Sequence, residues 1–122
     1  MTYRTSLYVP FLLDNLIVDE NDQLIVAGHP KSLHFLLHVK DPHNNRAPSE
    51  VVVFRNPKSS RIYFSKIVLL FSIFKIIDST FDSLLLTNGE KLSASTVGAI
   101  YKQKLLVGAL CDPGVLVCDN LV

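Results

Sequence analysis

Asp14 and Asn15 stand side by side at the mouth of the apolar run Leu16-Ile17-Val18, which Asp19 closes. A carboxylate and an amide carbonyl are hard oxygen donors, the kind that hold calcium. Two donors fall well short of the ~6–8 oxygens a calcium ion takes. The same Asp-Asn pair also suits an ordinary turn before a strand. Ala27-Gly28-His29-Pro30 follows shortly and brings the first of four histidines, His29, His34, His38 and His43. Read as a strand, the segment around His34 and His38 puts both on one side about two pleats apart. No cysteine or glutamate completes a zinc set there, so no transition-metal centre is expected. Cys111 and Cys118 flank a turn at offset positions. Their Cα atoms are expected to lie beyond the ~7 Å that a disulfide tolerates. No Gly-x-Ser-x-Gly elbow and no Ser/His/Asp order is present, which argues against a serine esterase.

The elements that must carry these residues read mostly as strands. Residues 6–12 are apolar, and Pro10 suits an edge strand or an irregular entry. Strands are expected over 16–19 and 23–27, around the polar turn Glu20-Asn21-Asp22. The break Gly28-His29-Pro30-Lys31-Ser32 leads to a third strand over 33–39. A loop over 40–48, rich in Asp, Pro and Asn, leads to a fourth over 50–55. Four short antiparallel strands with short links form one β-propeller blade. Residues 83–87 read as another strand, with Asn88-Gly89 as a hairpin signal. Strands over 95–101 and 104–110, joined at Lys102-Gln103, and a last one over 115–118 make most of a second blade.

Residues 58–80 separate the two blade-like parts, 13–56 and 83–119, as an insertion with its apolar body at about 60–78. Within it, 62–77 are nearly all apolar, interrupted by Lys66 and Lys75. The run is shorter than the ~18 uncharged residues expected of a spanning helix, and it fits no single helical face. It reads either as translated non-coding sequence or as a buried helix or strand pair peculiar to this chain.

Length and charge narrow the function. With 122 residues the chain is too short for a six-bladed ring, because each blade takes roughly 40 residues. A net charge of +1 with 19% charged residues gives no basic stripe, so nucleic-acid binding is not expected. Residues 1–6 carry no secretory h-region, and no Asn-x-Ser/Thr sequon occurs.

Leu13-Asp14-Asn15-Leu16-Ile17-Val18-Asp19, followed after a turn by Gln23-Leu24-Ile25-Val26-Ala27-Gly28-His29-Pro30, resembles the paraoxonase/arylesterase family. Later pieces keep the family's order: Ala47-Pro48-Ser49-Glu50-Val51, Asn88-Gly89, Ser95-Thr96-Val97, Tyr101-Lys102-Gln103-Lys104-Leu105-Leu106-Val107-Gly108, and Cys118. The resemblance covers about residues 10–56 and 83–119. It implies an all-β fold, a partial six-bladed propeller of about two blades carrying the insertion, and a C-terminal portion of the family's chain.

The resemblance also implies a chemistry. Asp14 and Asn15 match two ligands of the family's catalytic calcium, which polarises an ester or lactone carbonyl and stabilises the oxyanion. The other ligands and the family's water-activating histidine pair have no counterpart here. Phe35, Leu36, Thr96 and Leu110 fall where the family lines its pocket for small aryl esters or lactones; read by themselves, Phe35, Leu36 and Leu110 also suit blade core. Cys118 matches a cysteine that pairs in the family with one near the N-terminus, so a free thiol is expected here. Cys111 falls at an apolar family position and is expected to be buried. Gly28 replaces a free cysteine of the family. An extracellular or endoplasmic-reticulum, membrane-associated location is implied, with membrane or lipoprotein association through an N-terminal part not in this chain. The alternative within the resemblance is a non-catalytic assembly factor for membrane proteins.

Overall fold

The computed structural model describes residues 7–55, 81–119 and 121. The expected insertion at 58–80 lies wholly outside them. Seven strands and one helix follow in the order β1 (Leu12–Val18), β2 (Leu24–His29), α1 (Ser32–Lys40), β3 (Ser49–Phe54), β4 (Asp82–Thr87), β5 (Ser95–Tyr101), β6 (Lys104–Ala109) and β7 (Leu116–Cys118). They form two antiparallel sheets, one ordered β1-β2-β3-β4 and one ordered β5-β6-β7.

The turns follow local chemistry. Asp19 Oδ1 accepts hydrogen bonds from the Asn21 and Gln23 amides at 2.9 and 2.8 Å, closing the β1–β2 turn as an Asx turn. Lys102 and Gln103 take φ values of 47° and 62°, the left-handed pair that a two-residue hairpin between twisted strands requires.

Three expectations about the elements are corrected. Residues 32–40 form a helix, where a strand over 33–39 was expected. The alternation Leu33, Phe35, Leu37, Val39 fits a period of two, but a strand needs a free edge. The flanking strands β2 and β3 pair with each other and, on their outer sides, with β1 and β4. The leucine-rich segment therefore satisfies its amides internally, and His38 and Lys40 in its last turn suit the negative end of the helix dipole. The strand at 83–87 belongs to the first sheet: β4 pairs with β3 through Val51↔Leu85 and Val53↔Asp82. Asn88-Gly89 consequently joins the two sheets and closes no hairpin.

The core lies between the sheets. Ile25, Ala27, Val51 and Val53 of the first sheet pack with Leu92, Leu105 and Val107. The first sheet buries its other face too, where Val26, Val52 and Phe54 meet Leu7, Val9, Phe11 and Phe81. This explains why β2 and β3 carry unbroken apolar runs where a half-solvated strand would alternate. Gly98 of β5 lies where the sheets come closest, and a Cβ there would stand 2.6 Å from Val51 Cγ1.

Candidate functional site

Asp14 and Asn15 sit in an irregularity of β1. Leu13 pairs with Gly28 and Leu16 with Val26, so the two polar residues together oppose Ala27 alone. That two-against-one count is a β-bulge, which turns side chains out of the pleat's alternation and is common beside functional sites. The neighbouring backbone leaves Gly28 no side chain. A Cβ at this position would lie 2.3 Å from the Leu12 carbonyl oxygen and 2.9 Å from the Phe11 ring. A cysteine at this position would therefore not fit the path β1 takes here.

Asp14 leads inward to His29. Its Oδ2 lies 3.3 Å from His29 Nε2, and its Oδ1 accepts the Asn15 amide at 2.7 Å. His29 is 1% exposed, and Phe35 of α1 stacks on its ring at 3.7 Å with the planes 11° apart. Burial pushes the His29 pKa down, against the opposing hydrogen bond and charge of Asp14 and with help from the charge of His38. The ring is therefore neutral at pH 7, with Nε2–H donating to Asp14 and Nδ1 left without a hydrogen-bond partner. A base whose pKa falls on folding binds fewer protons folded than unfolded. Its stabilising contribution is full above its unfolded value near 6.5 and is lost as the pH falls through the lower folded value. Stability measured by denaturant titration is expected to decline on acidification below about pH 6.5, and less steeply in His29→Gln. Equal slopes for the two proteins would show that His29 does not titrate with folding.

A second polar cluster locks the helix and its loop to the other sheet. His38 is fully buried, with Nδ1 2.7 Å from the Asn45 carbonyl and 3.3 Å from Ser93 Oγ. Ser93 Oγ also accepts the Ala47 amide at 2.7 Å. The Ser93 amide donates to Asp112 Oδ2 at 2.7 Å. Arg46 grips both Asp112 oxygens at 2.7 and 2.9 Å and donates Nε–H to the Gly89 carbonyl. The Arg46 hydrogen bonds hold the Asp112 carboxyl below its ordinary range. Although Ser93 and His38 touch, both are sealed from solvent, so the contact serves structure and not nucleophilic attack. Ser95 adds a tie from β5, its hydroxyl donating to the Gly28 carbonyl at 3.1 Å.

The structure thus brings Asp14 and Phe35 onto His29, with Asn15 bonded to Asp14. Thr96 is half-buried at a bulge in β5, next to the Ser95–Gly28 tie. Leu110, just past β6, is 51% exposed. Leu36 projects outward from α1. His34 and His38 share a helix, contrary to the strand expectation, yet His34 is exposed while His38 is buried. Among the described residues no group of three or more His, Cys, Asp or Glu side chains converges on one point. Cys118 is a half-buried free thiol; Cys111 is also free, and it is exposed where burial was expected, because it lies in the loop after β6. The sequence reading missed Arg46, Ser93 and Asp112, whose separation along the chain left no local signal. A cavity of about 320 Å³ at the opposite end of the strands, lined by Asp19, Gln23, Arg55, Lys102 and others, is remote from Asp14. No family model matches this sequence, and no curated protein matches it.

Proposed function

We propose that this chain is part of a calcium-dependent arylesterase or lactonase of the paraoxonase type, supplying about two blades of a six-bladed β-propeller. The observation that carries the reading is the Asp14–Asn15 bulge backed by buried His29. Packing of two antiparallel sheets face to face, each sheet next in sequence to the other, supports the architecture. Asp14 and Asn15 fit calcium in kind, being hard oxygen donors on an exposed strand, and further donors have to come from elsewhere in a ring. Bound there, the ion supplies Lewis-acid polarisation of an ester or lactone carbonyl.

What this chain's residues contribute is orientation. Neutral His29 donates Nε2–H to Asp14 Oδ2 and fixes the direction of the carboxylate, as outer partners of metal ligands commonly do. Phe35 covers the imidazole and keeps water from it. Phe35, Thr96 and Leu110 would offer an apolar wall with one hydroxyl to a small aryl ester or lactone, whereas Leu36 faces away.

Residues that act as a unit lose function together. The 122-residue chain by itself is therefore expected to show no calcium-dependent hydrolysis of phenyl acetate, while a complete ring containing it hydrolyses the ester and stops when calcium is chelated. Activity of the isolated chain that chelation abolishes would overturn the two-blade reading. Calcium binding without hydrolysis by the complete ring would overturn the enzyme reading in favour of a non-catalytic assembly factor.

A further inference from the structure

A cleft of about 320 Å³ opens at the end of the strands remote from Asp14, where the β1–β2 turn, the β5–β6 turn and the end of β3 meet. Both sheets line it, through Leu84 of β4 and Ile100 of β5. Its volume lies at the lower end of the ~300–1,000 Å³ common to small-molecule sites. One polar atom in its lining is unsatisfied. Gln23 Oε1 is buried and has no hydrogen-bond partner among the described residues. A buried acceptor in that state is destabilising until a donor reaches it. The surroundings are held in place beforehand. Asp19 Oδ1 fixes the first turn through the Asn21 and Gln23 amides, and the Gln103 carbonyl accepts the Leu121 amide at 3.1 Å. Arg55 gives Nε–H to Asp82 Oδ2 at 2.7 Å and keeps its terminal N–H donors.

We propose that this cleft binds a neutral polyhydroxylated ligand, a pyranose sugar, with one hydroxyl donating to Gln23 Oε1. The lining selects this class. Asp19 and Glu20 are matched by Arg55 and Lys102, so no single sign of charge prevails to draw an anion or a cation. Asn21, Gln23 and Gln103 add amides, each carrying donors and an acceptor. A hydroxyl is also both donor and acceptor, so adjacent sugar hydroxyls can use a planar amide, carboxylate or guanidinium two at a time. Leu84 and Ile100 offer apolar surface to the C–H face of the ring. An aliphatic ligand would leave the polar groups desolvated and unpaired. The site uses none of Asp14, Asn15 or His29, so binding is expected to be indifferent to calcium.

Glucose, galactose and mannose, titrated separately into the full isotope-labelled chain and followed by nuclear magnetic resonance, test the proposal. At least one is expected to shift the side-chain amide signals of Gln23 and Asn21 saturably, and added salt should leave the affinity unchanged because the ligand is neutral. Zwitterionic leucine and inorganic phosphate should not shift them. The methyl glycoside of the bound sugar separates two sources. Binding of both forms assigns the cleft to the end of a glycan chain, and binding of the reducing sugar alone to a free sugar. Gln23→Leu should weaken binding by about three- to tenfold through loss of one hydrogen bond. Its melting temperature should hold or rise, because an unsatisfied buried acceptor is gone. Arg55→Met should weaken binding by a similar factor with the fold kept, since an exposed ion pair contributes little. Failure of every hexose to shift the signals, an equal response to leucine or phosphate, or unaltered affinity in both variants overturns the proposal. So does a lower melting temperature for Gln23→Leu, which would make the amide a structural group with a partner of its own.

Discussion

Asp14→Ala is expected to remove most of the calcium response of a ring containing this chain. Asp14 is the anionic donor of the pair, and calcium affinity follows the number of charged ligands and their rigidity. The substitution also strips His29 Nε2 of its partner, leaving both ring nitrogens of a buried imidazole unsatisfied. On the proposed reading, in which a calcium ion held here is the Lewis acid, loss of a charged, positioned ligand is expected to weaken binding by at least about tenfold, with turnover falling in step. Thermal unfolding with calcium and with chelator separates the two roles. Ligand that binds only the folded state raises the melting temperature, so the parent should be stabilised by calcium and the variant should not. A variant with the parent's calcium-induced shift and activity at limiting calcium would reduce Asp14 to a bulge residue. Asn15→Ala should show a smaller loss, because the amide contributes no charge.

Gly98→Val carries the largest expected effect on stability. The sheets approach so closely at this point that a Cβ would meet Val51 Cγ1 at 2.6 Å, with Ile25 Cγ2 at 3.4 Å. Val51 is fully buried and, being β-branched, has little rotamer freedom with which to retreat. Overpacking of this kind costs about 3 kcal/mol, which lowers the melting temperature of a domain of this size by roughly 10 °C or more. The sign is checked by a cycle. Val51→Ala alone opens a cavity and destabilises, yet in the Gly98→Val background it removes the clashing methyls and should recover at least about 1 kcal/mol. Strictly additive effects would mean that the sheets do not meet at Gly98 in solution.

Much of the strand content was legible because β2, β3, β5 and β6 combine β-branched runs with strong turn residues. Asp19 closes one turn by accepting the Asn21 and Gln23 amides on its side chain, and Lys102-Gln103 closes another between two apolar runs. These signals are local, and a local signal survives in the sequence. The Asp14–Asn15 pair was legible as a donor pair for the same reason. Its geometry was not, because a bulge is a mismatch between two strands and is invisible in either strand alone.

Three outcomes rested on tertiary structure. Residues 32–40 carry a strand's alternation in Leu33, Phe35, Leu37 and Val39 together with helix-forming leucines, and they form a helix while β1 and β4 occupy the outer edges of β2 and β3. Strand β4 joined β3 across the intervening 25 or more residues because the sheet edge, and not chain proximity, selects a strand's partner. The clamp of Arg46 on Asp112, and the seat of His29 between Asp14 and Phe35, join residues 66 and 15 positions apart in their hydrogen-bonded pairs. By itself the sequence determined which segments could be strands and which side chains could do chemistry. Which edges those strands met, and therefore which polar groups faced one another out of water, was decided only by packing, since burial and pairing are properties of the assembled sheets.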